Sequence, residues 1–488
     1  MAQSRQKHSR LVACVLVIVG CGCVGWLAYA FLFGSRALAT FRGARSDLSD
    51  IRAASIDLDA AVTEYRRLGL PWEAKDLAPN PPVADRDNAA PIIRRAIAFV
   101  DVKKFRSILH SLEELADRGD YKSVATKLQP YDKTTDLAAS ACAMKGVDFH
   151  RDWDLWPNLV FPEMEPMKLI TRALCLRARV AASKGDMATA VRSLQCGLRI
   201  ADMAGSEPTS FPAVMLGAGQ ASVFRAYTLC AASLYGNPLG LAALEKSLSA
   251  YKGRVDLARI MRGEEYVGIA YLRNFERYGG AKGLDREYFN TLQDHPNKAT
   301  WGPIQRTGLA TGELNRAFLD RHLRYWITID KTFHGEGTDL MKCCQDIDAA
   351  IDARFAQEKV VDLFAIATMG TFTSMAKIKL DADARRVTSL ALLSALVVQA
   401  KTGKMPTKIS EIPGTWIDPF DKKPLRVRGD GKSLRVYSVG SDLQDNGGAT
   451  TAEGAPLKES DIVAAYPPIQ PKRRASLPAA KAKPLQGP

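Results

Sequence analysis

The sequence predicts a mainly α protein: an N-terminal transmembrane helix, a helical-hairpin bundle, and a small α+β module at the C-terminus. Three observations carry this. Residues 11–33 contain no charge, apolar residues recur at helical spacing through the middle of the chain, and after Asp381 a helix gives way to short alternating runs. The expected organisation is a basic tail at 1–10, a membrane helix at 11–33, a helical domain at 34–375, the α+β module at 376–466 and a basic Pro/Ala-rich tail at 467–488. At 488 residues the chain is longer than one core usually grows, so at least two folded units are expected.

The first element is the uncharged run. As a helix at ~1.5 Å per residue its 23 residues span about 35 Å, enough for a bilayer core. A cleaved signal would have a shorter apolar core of about 7 to 15 residues. A lipoprotein reading of Ile18-Val19-Gly20-Cys21 conflicts with the apolar residues that follow, Trp26, Tyr29 and Phe31 among them. The expectation is therefore a single-pass anchor contacting the lipid bilayer through residues 11–33. Three basic residues flank each side, so charge does not orient it; a charged start before an apolar run favours a bulk outside the cytoplasm.

Charge bears on partners. The net charge is +14, but eleven of the 67 basic residues lie in 1–46 and 467–488, stretches without an acid. The remainder holds 56 basic against 53 acidic residues, which argues against nucleic acid as a partner, because phosphate recognition needs a concentrated basic face. The nine cysteines include no C-x-x-C pair, so a zinc ribbon is not expected, and the adjacent Cys343 and Cys344 read as helix residues.

Helices are expected at 53–68, closed by Gly69 and Pro71, and at 89–100 after the capping pair Asp87-Asn88. Residues 167–204 read as a helical hairpin turning at Lys184-Gly185-Asp186, which would set Cys175 opposite Cys196, either as two small buried residues or as a disulfide. With Ala178, Ala190 and Leu194 at packing positions, this hairpin resembles the tetratricopeptide repeat. It departs from that pattern at Ala181 and Gly197, and Arg118-Gly119-Asp120-Tyr121 echoes its turn. Further helices are expected at 213–234, 240–252, 255–278, 313–331 and 338–369, with a loop-like region at 279–311.

No catalytic signature names a reaction. The histidines are scattered, and Gly217-Ala218-Gly219, the one hint of a dinucleotide loop, lies inside a helical run. The pairs Glu163/Glu165 and Glu264/Glu265 offer acid and base carboxylates or solvated helix faces. Asp152-Trp153-Asp154-Leu155-Trp156-Pro157 offers a ligand surface or a loop anchor.

In the C-terminal module, 425–428 and 434–439 alternate about the hairpin turn Gly429-Asp430-Gly431-Lys432. The order of a helix, Gly403-Lys404-Met405-Pro406, Asp418-Pro419-Phe420, this hairpin, Tyr437-Ser438-Val439-Gly440-Ser441-Asp442 and Asp461-Ile462 resembles the globular domain of type II secretion major pseudopilins. The resemblance implies a calcium-binding loop, with Asp442, Asp445 and Asp461 as the side-chain ligands. The chain lacks the pseudopilin processing site, and the whole layout resembles membrane-anchored proteins of the planctomycete type. These readings imply a membrane-anchored extracytoplasmic scaffold that binds a protein partner. An accessory part of a secretion or pilus machine and a hydrolase using paired carboxylates are the alternatives.

Overall fold

A computed structural model of the chain describes residues 57–155, 159–253, 255–273, 312–333, 339–355, 372–449 and 461–468. It is mainly helical with a small three-stranded sheet near the C-terminus. No helix among the described residues is long and apolar enough to cross a membrane. The longest, α13 (Phe372–Thr402), carries Lys377, Lys379, Asp381, Asp383, Arg385 and Arg386 mid-length, charges that lipid would not accept. The single-pass, extracytoplasmic expectation is corrected on this finding; residues 11–33, on which it rested, lie outside the described residues, as does most of the basic C-terminal tail.

The N-terminal helices are α1 (Leu58–Arg67), α2 (Ala90–Ala98), α3 (Val102–Asp117), α4 (Tyr121–Leu128) and α5 (Asp132–Cys142). Next come the hairpin α6 (Met164–Ser183) and α7 (Met187–Ala204), then α8 (Ser210–Ser233), α9 (Pro238–Ser249) and α10 (Leu257–Arg273). Two more, α11 (Gly312–Thr332) and α12 (Leu340–Phe355), precede α13.

The same device ends α3 and α6. Gly119 and Gly185 adopt φ of +82° and +75°, and the following aspartate sends its N–H back five residues, Asp120 to Leu115 O and Asp186 to Ala181 O, both at 3.0 Å. That aspartate then caps the next helix, Asp120 accepting from Ser123 N and Asp186 from Thr189 N. One Gly-Asp step thus stops a helix, turns the chain and starts its antiparallel neighbour.

Helix α8 lies close against α7 through small residues. A Cβ on Gly219 would come within 2.8 Å of Ala201 Cβ, and one on Gly197 within 3.0 Å of Val223. Gly217-Ala218-Gly219 is therefore interior to α8, and Gly219 serves helix contact. Burying the leucines of this stack, Leu194, Leu198 and Leu216, is worth about 1.5–3 kcal/mol each relative to exposure.

The sheet orders β1 (Arg426–Gly429), β2 (Leu434–Ser438) and β3 (Ile462–Tyr466), all antiparallel, with Val427 opposite Val436 and Val436 opposite Ala464. Its hairpin closes where Asp430 Oδ1 accepts the N–H groups of Lys432 and Ser433. The buried Asp418 fastens the hairpin from below, accepting from Phe420 N, Val439 N, the Ser438 hydroxyl and Arg426 Nη1. Sheet and helices share one core: Leu434, Val436 and Ala464 pack in the same cluster as Leu392 and Leu396 of α13 and Tyr227 of α8.

Candidate functional site

The most developed site is a cleft of about 310 Å³ beside a strap, residues 147–153, that links α5 to α6. The strap begins at Gly146, where a Cβ would stand 2.9 Å from Val83 Cγ2. It pairs with the start of α2: Ala89 N donates to Gly146 O, Asn88 Nδ2 donates to Asp148 O, and Asp148 N donates to Asn88 Oδ1. His150 then takes a left-handed φ of 51°, unusual for a residue with a Cβ, while its N–H donates to Asp148 Oδ1 at 2.7 Å. The same Asp148 carboxylate lies 3.2 Å from His150 Nδ1.

This reversal turns Arg151 inward. Its guanidinium is buried, donates to Glu163 Oε2 at 2.5 Å and Glu207 Oε1 at 2.6 Å, and lies between the rings of Phe149 and Phe161. Glu163 receives a second arginine, Arg94 Nε at 2.9 Å, and Arg94 also donates to Phe149 O on the strap. The two carboxylates diverge as a result. Burial disfavours the charge on both, but the two arginines hold Glu163 below its ordinary value, whereas Glu207, with Arg151 alone, is pushed up. Burial also opposes the charge on Arg151, and its bonds to Glu207 and Glu163 overcome that, so it stays cationic. A neutral frame of two arginines and two glutamates thus fixes the strap.

The cleft is lined by the strap itself, Phe149 and Arg151 included. His150, Asp152, Glu207, Lys75 and the half-buried Arg259 line it, and the Arg259 guanidinium has no ion-pair partner among the described residues. Trp153 anchors the strap's end, buried with Leu77, Tyr266 and Ala270, while Tyr266 donates its hydroxyl to Asp154. In the Asp152 to Pro157 cluster, Trp153 is a buried loop anchor, and both it and Asp152 line the cleft; Trp156 and Pro157 lie outside the described residues.

The acidic pairs do not face one cleft. Glu165 pairs with Arg106 on α3 at 3.0 Å, away from Glu163. Glu264 accepts Ser210 N, whereas Glu265 turns to Tyr65. Burial raises both. Helix α10 carries them so close to the loop before α8 that a Cβ on Gly263 would fall 1.2 Å from Pro208 O.

The implied calcium ligands are gathered around Asn446. Its N–H donates to Asp461 Oδ1 at 3.3 Å and its side-chain amide to Asp442 Oδ2 at 3.2 Å. Each carboxylate already accepts from other donors: Asp461 from Gly448 N, Asp445 from Gly447 N and the Tyr437 hydroxyl, Asp442 from Gln444 N. Among the described residues no group of three acids, histidines or cysteines is placed to hold a metal, and residues 450–460 of this loop lie outside the described residues.

Cys175 and Cys196 do not pair. Cys175 belongs to the cluster of Cys230 and Tyr227, and Cys196 to the cluster of Phe105 and Ile170. Sequence reasoning missed Arg151 and Glu207 altogether; the one local signal was the aromatic and acidic string that follows Arg151. No family model matches this chain, and no curated protein or solved structure matches it either.

Proposed function

We propose that the protein is a helical interaction protein, a scaffold whose cleft beside the 147–153 strap takes an extended segment of a protein partner. One observation carries the reading: the buried Arg151 frame holds the strap as one cleft wall, and Arg259 lines the same cleft without an ion-pair partner among the described residues. A fixed polar wall beside an open, half-buried guanidinium suits recognition of a carboxylate on an extended chain, since charge-assisted bonds give both strength and geometry. The binding reading is favoured over the hydrolase alternative because Glu163 and Glu165 sit in arginine pairs, Glu264 is engaged by Ser210 and Glu265 turns to Tyr65.

Affinity capture from cells with the wild-type chain and with Arg259→Glu tests this. The wild type is expected to bring down a stoichiometric protein partner, and the variant to recover at least about tenfold less of it with its circular dichroism unchanged. Equal recovery by both, or no stoichiometric partner on the wild type, overturns the proposal.

A further inference from the structure

The thiol of one cysteine meets the backbone of another. Cys142 is the last residue of α5 and Cys196 lies in the middle of α7, 54 positions on, yet Cys142 Sγ is 3.5 Å from the carbonyl oxygen of Cys196. Both are free; Cys142 is half-buried and Cys196 lies in the core directly behind it. The segment after Cys142 is already tied to α7, because Arg199 Nη2 donates to Met144 O at 3.2 Å and Lys145 O at 2.9 Å. The other cysteines are placed differently. Cys175 and Cys230 are both buried in another cluster, and Cys343 and Cys344 are chain neighbours, which bridge only with strain.

We infer that Cys142 and Cys196 form a redox-responsive pair, closed to a disulfide by a low-molecular-weight disulfide such as oxidised glutathione, and that the bond fastens the root of the strap to α7. The accessible Cys142, as thiolate, attacks one sulfur of the small disulfide, whose S–S bond breaks and releases one thiol. Cys196 then gives up its proton and attacks Cys142 Sγ, displacing the second thiol. Two cysteine thiols are oxidised, one small disulfide is reduced, and the two cysteine protons end on the two released thiols. Contact with Cys196 and burial hold the Cys142 thiol well above its usual range, so the exchange is slow at neutral pH and quickens as pH rises.

The test uses the full-length wild-type chain, incubated with oxidised glutathione at about pH 8.5, trapped with N-ethylmaleimide and mapped without reduction by mass spectrometry. The expected product is a peptide pair linked through Cys142 and Cys196, with amide hydrogen exchange across residues 143–153 slowed roughly tenfold in the oxidised protein. Recovery of both residues as maleimide adducts, as separate glutathione adducts, or of Cys196 joined to Cys175, overturns the assignment. A linked pair with unchanged exchange across 143–153 overturns the fastening of the strap. The readout is a covalent product, so its failure is separable from failure of partner capture.

Discussion

Glu264 accepts the backbone N–H of Ser210 at 2.6 Å, so the first turn of α8 is capped by a side chain from α10. Thr209 precedes that turn without making a side-chain cap bond, and Glu264 supplies the missing acceptor from elsewhere in the chain. Glu264→Ala is expected to cost about 1–2 kcal/mol in urea unfolding, the usual worth of a cap lost from a buried site, and Glu264→Gln to recover at least half of it. Identical midpoints for wild type and Glu264→Ala would remove the cap.

Arg151 balances two buried carboxylates, and its loss leaves Glu207 without compensation. Arg151→Met is expected to destabilise by about 3–5 kcal/mol at neutral pH, the range for a buried pair broken on one side. Adding Glu207→Gln should restore most of the stability, because Glu163 then keeps Arg94 as its counter-charge and no carboxylate is left uncompensated. A double-mutant cycle by chemical denaturation reads this directly; additive losses would contradict a shared frame.

Glu265 gives a pH dependence of defined sign. Burial raises its carboxyl well above the ordinary value of 4.5, so the folded state binds a proton that the unfolded state has released. Wild-type stability therefore falls as pH rises from about 4.5 toward the folded value, and is least penalised below it. Glu265→Gln keeps the neutral shape, so its melting temperature should exceed the wild type's by about 3 °C at pH 7 and converge with it near pH 4. Melting curves at both pH values check this, and a variant less stable at pH 7 would reverse the sign.

The Asp442, Asp445 and Asp461 turn is held by N–H donors, so calcium at about 1 mM is expected to leave the melting temperature unchanged within about 1 °C. Asp461 is raised by burial and by the negative charge of Asp445 and Asp442, with the N–H groups of Gly448 and Asn446 opposing. A rise of several degrees with calcium, reversed by a chelator, would instead show the three acids closing around a cation.

The α6/α7 hairpin was legible because its punctuation is local: Gly185 and Asp186 stop one helix and start the next within two residues. Helices α3 and α5 were not read from the sequence, for different reasons. In α3 the buried face Phe105, Leu109, Leu112 and Ala116 keeps helical spacing, but lysines and glutamates between dilute it. In α5 the buried face is Thr134, Thr135, Ala138 and Ala141, a pattern of size rather than hydrophobicity. The frame about Arg151 could not be read at all, since Glu207 stands 56 positions away and only tertiary structure joins them. The membrane expectation rested on composition alone, and none of the described helices repeats that composition.

Helix α13 touches α8, α9 and α12 and also β2 and β3. A stop codon just after it would remove Leu434, Val436 and Ala464 from the cluster that holds Leu392, Leu393 and Leu396 and open part of that core to water. Such a shortened product is expected to be cleared by cellular quality control.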